Sequence, residues 1–195
     1  EIGGLTMVGA TGSVLKRSLA SMQGLIDTSL AEVRAPRATA TSAIFFVASL
    51  IHEAKASADL GSGARNQTLT VADVNSHLRV EANRERILAA LANLLSNAFK
   101  FSHPHSEIKL SAELVGDRVC LNVEDSCGGL LPDHEEKIFK PFLQFGDDRS
   151  GLGLGLSIAR QNVEADGGTL TVRNKPGSGC VFTIALPNCT ERRPG

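Results

Sequence analysis

Three stretches of this 195-residue chain put chemically useful side chains at spacings that converge. In NLLSNAFKF (93–101), Asn93, Asn97, Lys100 and Phe101 follow one another at steps of four, three and one. On a helix those steps place all four in one sector, about a third of a turn from the apolar stripe of Ile87, Leu91, Leu94 and Ala98. An amide oxygen is a hard ligand suited to magnesium, and an ammonium group suits phosphate oxygens. A polar helix flank with no ligand at all would show the same spacing.

VEDSCGGL (123–130) sets Asp125 at the expected end of a strand, beside Gly128 and Gly129. An ionised carboxylate there can accept a hydrogen bond from an exocyclic amine such as adenine's, and the glycines let backbone approach a flat ring. An ordinary Asp–Gly turn is the alternative. SGLGLGLSIA (150–159) carries Gly151, Leu152, Gly153, Leu154 and Gly155 directly before a predicted helix. That pattern serves either as a hinge or as a phosphate cradle at a helix N-terminus. Between the last two stretches, KIFKPF (137–142) sets two phenylalanines around a proline, and the polar LQFGDDRS (143–150) follows as a candidate lid.

The elements that must position these residues alternate in period. TGSVLKRSLASMQGLIDTSLAEVRAP (11–36) predicts a helix whose Leu15, Leu19, Met22, Ile26, Leu30 and Val33 step by fours and threes, a bundle seam that needs a partner helix. A second helix is expected over 42–59, strands in QTLTVADV and HLRVEA, and a helix from Arg84 to about Phe101 capped by Asn83. Residues 107–125 read as a hairpin turning at Gly116–Asp117, EEKIF as a short helix, and LSIARQNVEAD as a helix stopped at Gly167–Gly168. TLTVRN and GCVFTIALP form a last hairpin around KPGSG. The class is α+β, one sheet with helices on one face.

Composition narrows the function classes. A formal net charge of -1 leaves no basic excess for a nucleic acid, and no apolar run approaches the roughly 20 residues of a membrane helix. Four cysteines lack CxxC spacing, which points to reduced thiols in a cytoplasmic protein rather than to zinc. The chain does not begin with Met and reads as a piece of something longer.

In their order, NLLSNAFKF, EDSCGGL, KIFKPF and GLGLGL resemble the N, G1, F and G2 boxes of the nucleotide-binding domain of sensor histidine kinases, within the GHKL (Bergerat-fold) ATPase superfamily. The resemblance covers roughly 42–187 and implies a two-layer α/β sandwich with a mixed sheet, preceded by an N-terminal bundle helix. It implies ATP and Mg2+ as cofactors, with Asn97 as metal ligand and Asn93 beside it. Lys100 would meet phosphate oxygens, Phe101 would flank adenine, Asp125 would accept the adenine amino group and Gly129 would shape the pocket. Gly151, Leu152, Gly153, Leu154 and Gly155 would form the phosphate side of the lid, with Arg149 reaching the γ-phosphate. Implied domains are a partial dimerisation region (1–36, second bundle helix only), an ATP-binding catalytic domain (42–188) and a tail (189–195).

The implied reaction transfers the γ-phosphoryl group of ATP to a histidine upstream of this chain, for relay to an aspartate of a response regulator receiver domain, in a homodimer joined through the bundle helix. His52, His77, His103, His105 and His134 all sit in poor settings for the acceptor. Two departures stand out: Cys127 occupies the place of the G1 box's first glycine, and the lid is short. If the Cys127 position requires positive φ, cysteine would be strained there. The alternative is then a degenerate kinase acting as a partner-binding scaffold. Anti-sigma serine kinases and the other GHKL ATPases fit the set of motifs less well.

Overall fold

The computed structural model describes residues 41–59, 66–144 and 152–189. Its elements are β1 (Ala43–Phe46), α1 (Val47–Asp59), β2 (Thr68–Val71), β3 (Arg79–Ala82), α2 (Arg84–Phe101), β4 (Glu107–Val115), β5 (Arg118–Glu124), a 3-10 turn (Lys137–Phe139), α3 (Gly155–Glu164), β6 (Thr169–Lys175) and β7 (Gly179–Pro187). The predicted bundle helix over 11–36, with Arg149 and Gly151, lies outside the described residues.

Five strands form a mixed sheet in the order β2-β4-β5-β7-β6, in which β2 and β4 run parallel and every other pair antiparallel. Register follows the alternation. Leu110, Val123, Phe182 and Val172 face one another across four strands, and Ala112, Leu121, Ile184 and Leu170 form the next row. Both rows point to one face, which α1, α2 and α3 cover with Leu50, Ile51, Leu91, Leu94, Leu95 and Val163. Each such buried side chain contributes about 1.5–3 kcal/mol. The opposite face is polar: Asn122 bridges Glu113 (3.0 Å) and Thr183 (2.7 Å), and Lys175 pairs with Glu124 at 2.6 Å.

The helix that carries the asparagines starts where its cap places it. Asn83 Oδ1 accepts from the N–H groups of Glu85 (3.1 Å) and Arg86 (3.2 Å), and its own N–H donates to Asp166 Oδ1 at 2.9 Å. The cap therefore sets where α2 starts and also ties it to the turn after α3.

Four expectations change. The helix expected over 42–59 begins at Val47, because Ala43–Phe46 pairs antiparallel with β3 instead. Ile44 and Phe46 suit a strand, and the pairing satisfies backbone groups of β3 that would otherwise have no ladder. The single sheet is thus joined by a second, two-stranded one, linked to it through the Val80–Asn188 bridge. EEKIF contributes only the 3-10 turn, and His77 sits in a turn before β3, its N–H donating to Asn75 Oδ1.

Candidate nucleotide site

A cavity of about 530 Å³ opens between α2, the loop after β5, and the start of α3. This is within the range of small-molecule sites. Asn93, Asn97, Lys100 and Phe101 all line its α2 wall, as helical spacing requires. Lys100 Nζ lies 5.0 Å from the centre of the Phe101 ring, so the cation and the aromatic face form one unit at the rim.

Asp125 forms the floor and is only 7% exposed. Its Oδ1 accepts the N–H of Cys180 (2.9 Å) and of Cys127 (3.1 Å), and its N–H donates to the Cys180 carbonyl at 2.9 Å. A buried carboxylate needs such partners. They also fix which way it faces.

Three ties locate the loop that follows. Ser126 N–H donates to Ser102 Oγ at 3.0 Å, joining the loop to the end of α2. Gly177 N–H donates to the Gly128 carbonyl at 2.9 Å, and Gly128 N–H to the Ser178 carbonyl at 3.2 Å. Left-handed φ falls at Gly128 (85°) and Gly129 (93°), whereas Cys127 is not among the described residues with positive φ. The strain expected from cysteine in this box therefore does not arise. Glycines occupy both positions of this turn that have left-handed φ.

On the opposite side, Gly153 (φ 70°) packs so tightly on the Leu143 carbonyl that a Cβ there would sit 2.6 Å from it. Its own carbonyl accepts the Phe142 N–H at 3.0 Å. Gly155 begins α3 beside Asn93, with no side-chain cap, so the positive end of the helix opens toward the asparagines. Gly153 and Gly155 line the cavity; Leu152 and Leu154 are not among its lining residues, and Leu154 uses its carbonyl to accept from Ser157 Oγ and Ile158 N–H. Of the two phenylalanines around Pro141, Phe139 is buried under Arg160, at 4.8 Å from its ring centre, while Phe142 is 67% exposed. Only the first of the two is thus buried.

Spacing did not reveal several residues that build this site. Asn174 holds Leu130 at both main-chain groups. Gly179 lies where any Cβ would overlap the Asp125 carbonyl. Cys180, Leu130, His134 and Leu156 line the cavity. The Cys127 and Cys180 sulfurs stand 3.7 Å apart, and with an Asp125 oxygen they make three donor atoms within 4.8 Å. Asp125 Oδ1 is already engaged by two backbone N–H groups, which leaves Oδ2 as the oxygen open to a further partner beside the thiol pair.

Residues 82–190, more than half of the chain, match the family described as histidine kinase-, DNA gyrase B-, and HSP90-like ATPase. The chain belongs to this family. Within it, the chain is 38% identical over 109 residues to the alginate biosynthesis sensor protein KinB of Pseudomonas aeruginosa, covering 56% of this chain and 18% of KinB. The nucleotide-free catalytic domain of histidine kinase ThkA superposes with a TM-score of 0.67 at 31% identity, over 75% of this chain and 95% of that domain. ThkA in complex with its response regulator TrrA gives a TM-score of 0.73 at 26% identity, over 98% of this chain and 55% of ThkA. The family chain is therefore an ATP-binding catalytic domain of the sensor histidine kinase type, and it spans less than a fifth of KinB's length. Among the described residues no helix is long and apolar enough to cross a membrane.

Proposed function

We propose that this domain binds ATP with Mg2+ in the cavity between α2 and α3 and presents the γ-phosphate to a histidine on a partner helix upstream. The observation that carries the reading is Asp125: a buried carboxylate at the end of a strand, held through Oδ1, in the floor of a cavity lined by Asn93, Asn97 and Lys100. Asp125 accepts the adenine amino group, and Phe101 flanks the ring. Asn93 and Lys100 orient phosphate oxygens, and Gly153 and Gly155 let the backbone approach them. The donor set suits a magnesium ion, because the Asn97 amide oxygen is a hard ligand. The ion supplies charge neutralisation along the phosphates. Arg149, Gly151 and the main chain of Leu152 and Leu154 complete the lid side.

The kinase reading extends to the whole protein. The seam of Leu15, Leu19, Met22, Ile26, Leu30 and Val33 reads as the second helix of a dimerising hairpin, with the acceptor histidine before it, and a receiver-domain aspartate takes the phosphoryl group in the cytoplasm. None of the chain's own histidines serves as acceptor; His134, for example, lines the cavity itself. The relative ThkA, solved with a response regulator, supports that partner class.

Calorimetric titration with a non-hydrolysable ATP analogue and magnesium tests the reading. Asp125→Asn keeps an oxygen for the Cys127 and Cys180 N–H groups but loses the charge, so it should fold and bind at least about tenfold more weakly, ~1.4 kcal/mol. Equal affinity in the two proteins would overturn the role of Asp125. No binding by the unaltered domain would overturn the nucleotide reading.

A further inference from the structure

Two cysteines 53 positions apart meet in the floor of the cavity. Both line the cavity, Cys127 half-buried and Cys180 fully buried. Their sulfurs are 3.7 Å apart, and both backbone N–H groups bind the same oxygen, Asp125 Oδ1. The hydrogen bonds between Gly128 and the 177–178 turn hold the two segments together on the next residues. A disulfide requires a sulfur separation of roughly 2.05 Å, so closure asks for less than 2 Å of combined side-chain movement.

We propose that Cys127 and Cys180 form a reversible thiol–disulfide switch in the nucleotide cavity, oxidised by hydrogen peroxide. The Cys127 thiolate attacks the peroxide: a sulfur–oxygen bond forms, the oxygen–oxygen bond breaks, and the leaving hydroxide takes a proton to become water. The Cys180 sulfur, losing its proton, then attacks the sulfenic sulfur of Cys127. The sulfur–sulfur bond forms, the sulfur–oxygen bond breaks, and a second water leaves. Two electrons pass from the thiol pair to the peroxide.

The roles follow from position. Cys127 is the more exposed of the two, and hydrogen bonding with the Cys180 sulfur holds it below the ordinary thiol value, which favours it as the attacking group. The hydrogen bond to Cys127 and then burial push Cys180 up, which suits a resolving thiol that keeps its proton until the second step.

Closing the bond draws the Cys127 segment toward β7 and disturbs one of the two N–H groups that aim Asp125. Nucleotide affinity falls as a result, and a bound nucleotide, covering Cys127, slows the oxidation. This consequence rests on the nucleotide reading given above; the cross-link rests on the sulfur geometry alone.

The experiment treats reduced protein with stoichiometric hydrogen peroxide and digests it without reductant for mass spectrometry. Calorimetry with the non-hydrolysable ATP analogue runs in parallel on the reduced, oxidised and re-reduced protein. The expected result is a peptide pair joined through Cys127 and Cys180, released by dithiothreitol, with affinity at least about tenfold weaker when oxidised and restored on reduction. In Cys180→Ser no such pair forms, and peroxide no longer produces that reversible loss. Absence of the linked peptide, or links through Cys120 or Cys189 in its place, would overturn the proposal, and so would a linked protein with unchanged affinity. A linked protein that binds no nucleotide in either state would sink the nucleotide reading and the regulatory consequence while leaving the thiol pair established.

Discussion

Asn174 grips Leu130 with both ends of its carboxamide: Oδ1 accepts the Leu130 N–H at 2.8 Å, and Nδ2 donates to the Leu130 carbonyl at 2.9 Å. A side chain on β6 thereby stands in for a missing strand partner and fixes the loop that carries Gly128 and Gly129.

Asn174→Ala removes both bonds and leaves two main-chain groups without partners. Urea unfolding should show a loss of about 1–3 kcal/mol, and calorimetry should show weaker nucleotide binding because Gly129 loses its seat. Asn174→Asp keeps the acceptor and loses the donor, so it should fall between the two. An alanine variant as stable as the parent would mean that the loop is held by its other ties alone.

Gly179 and Gly155 separate two kinds of glycine. A Cβ at Gly179 meets the Asp125 main chain, so Gly179→Ala should destabilise by about 1–3 kcal/mol and displace Asp125. At Gly155 the nearest atom to a Cβ is Asn93 Oδ1 at 3.6 Å, ordinary contact, and φ is not positive. Gly155→Ala should therefore leave stability equal or raise it by about 0.5–1 kcal/mol, while nucleotide affinity falls as the methyl group takes space beside Asn93. Thermal melts and titrations on the same samples read both quantities.

Asn83→Ala is the control for stability without binding. Loss of the cap should cost about 1 kcal/mol, seen as an earlier urea midpoint, with nucleotide affinity of the folded fraction unchanged. The cap sits at the far end of α2 from Asn97 and Lys100, and a change in affinity would show that the rotation of the helix depends on it.

The cysteines carry a pH signature. Hydrogen bonding with Cys180 lowers Cys127, whereas burial and then Glu113 raise Cys120. Alkylation follows the thiolate, so a short iodoacetamide pulse at neutral pH should label Cys127 ahead of Cys120. Stability responds with opposite signs. The lowered Cys127 contributes stability above the unfolded-state thiol value, and that contribution is lost as pH falls through its folded value. The raised Cys180 contributes below the unfolded value and loses its part as pH rises further. Their joint contribution should peak near pH ~8.5, and Cys180→Ser should flatten the profile measured by urea unfolding.

What could be read from the sequence divides by the distance over which each signal acts. Asn93, Asn97, Lys100 and Phe101 were legible because helical period alone places them together, and Asn83 because a cap is local chemistry. The β4–β5 hairpin was legible from alternation along its two strands. Strand β1 was not, because AIFF runs into the helix with no glycine or proline to mark the change, and its partner lies beyond another helix and strand. Asn174, Gly179 and the Cys127–Cys180 pair were illegible for a related reason. Each acts on a residue that only the closed sheet brings near, and nothing in the local spacing of KPGSGC announces a neighbour at Asp125 or Leu130.

The double hold on Asp125 Oδ1 also sets an order of events during synthesis. One N–H comes from two residues downstream, but the other comes from Cys180, in the last strand. A nascent chain that has released α2 and β5 holds every side chain expected at the adenine, yet its carboxylate has no fixed direction until β7 has left the ribosome and paired. The pocket becomes competent only once the closing hairpin has paired, so chains broken off before it would not titrate the cell's nucleotide.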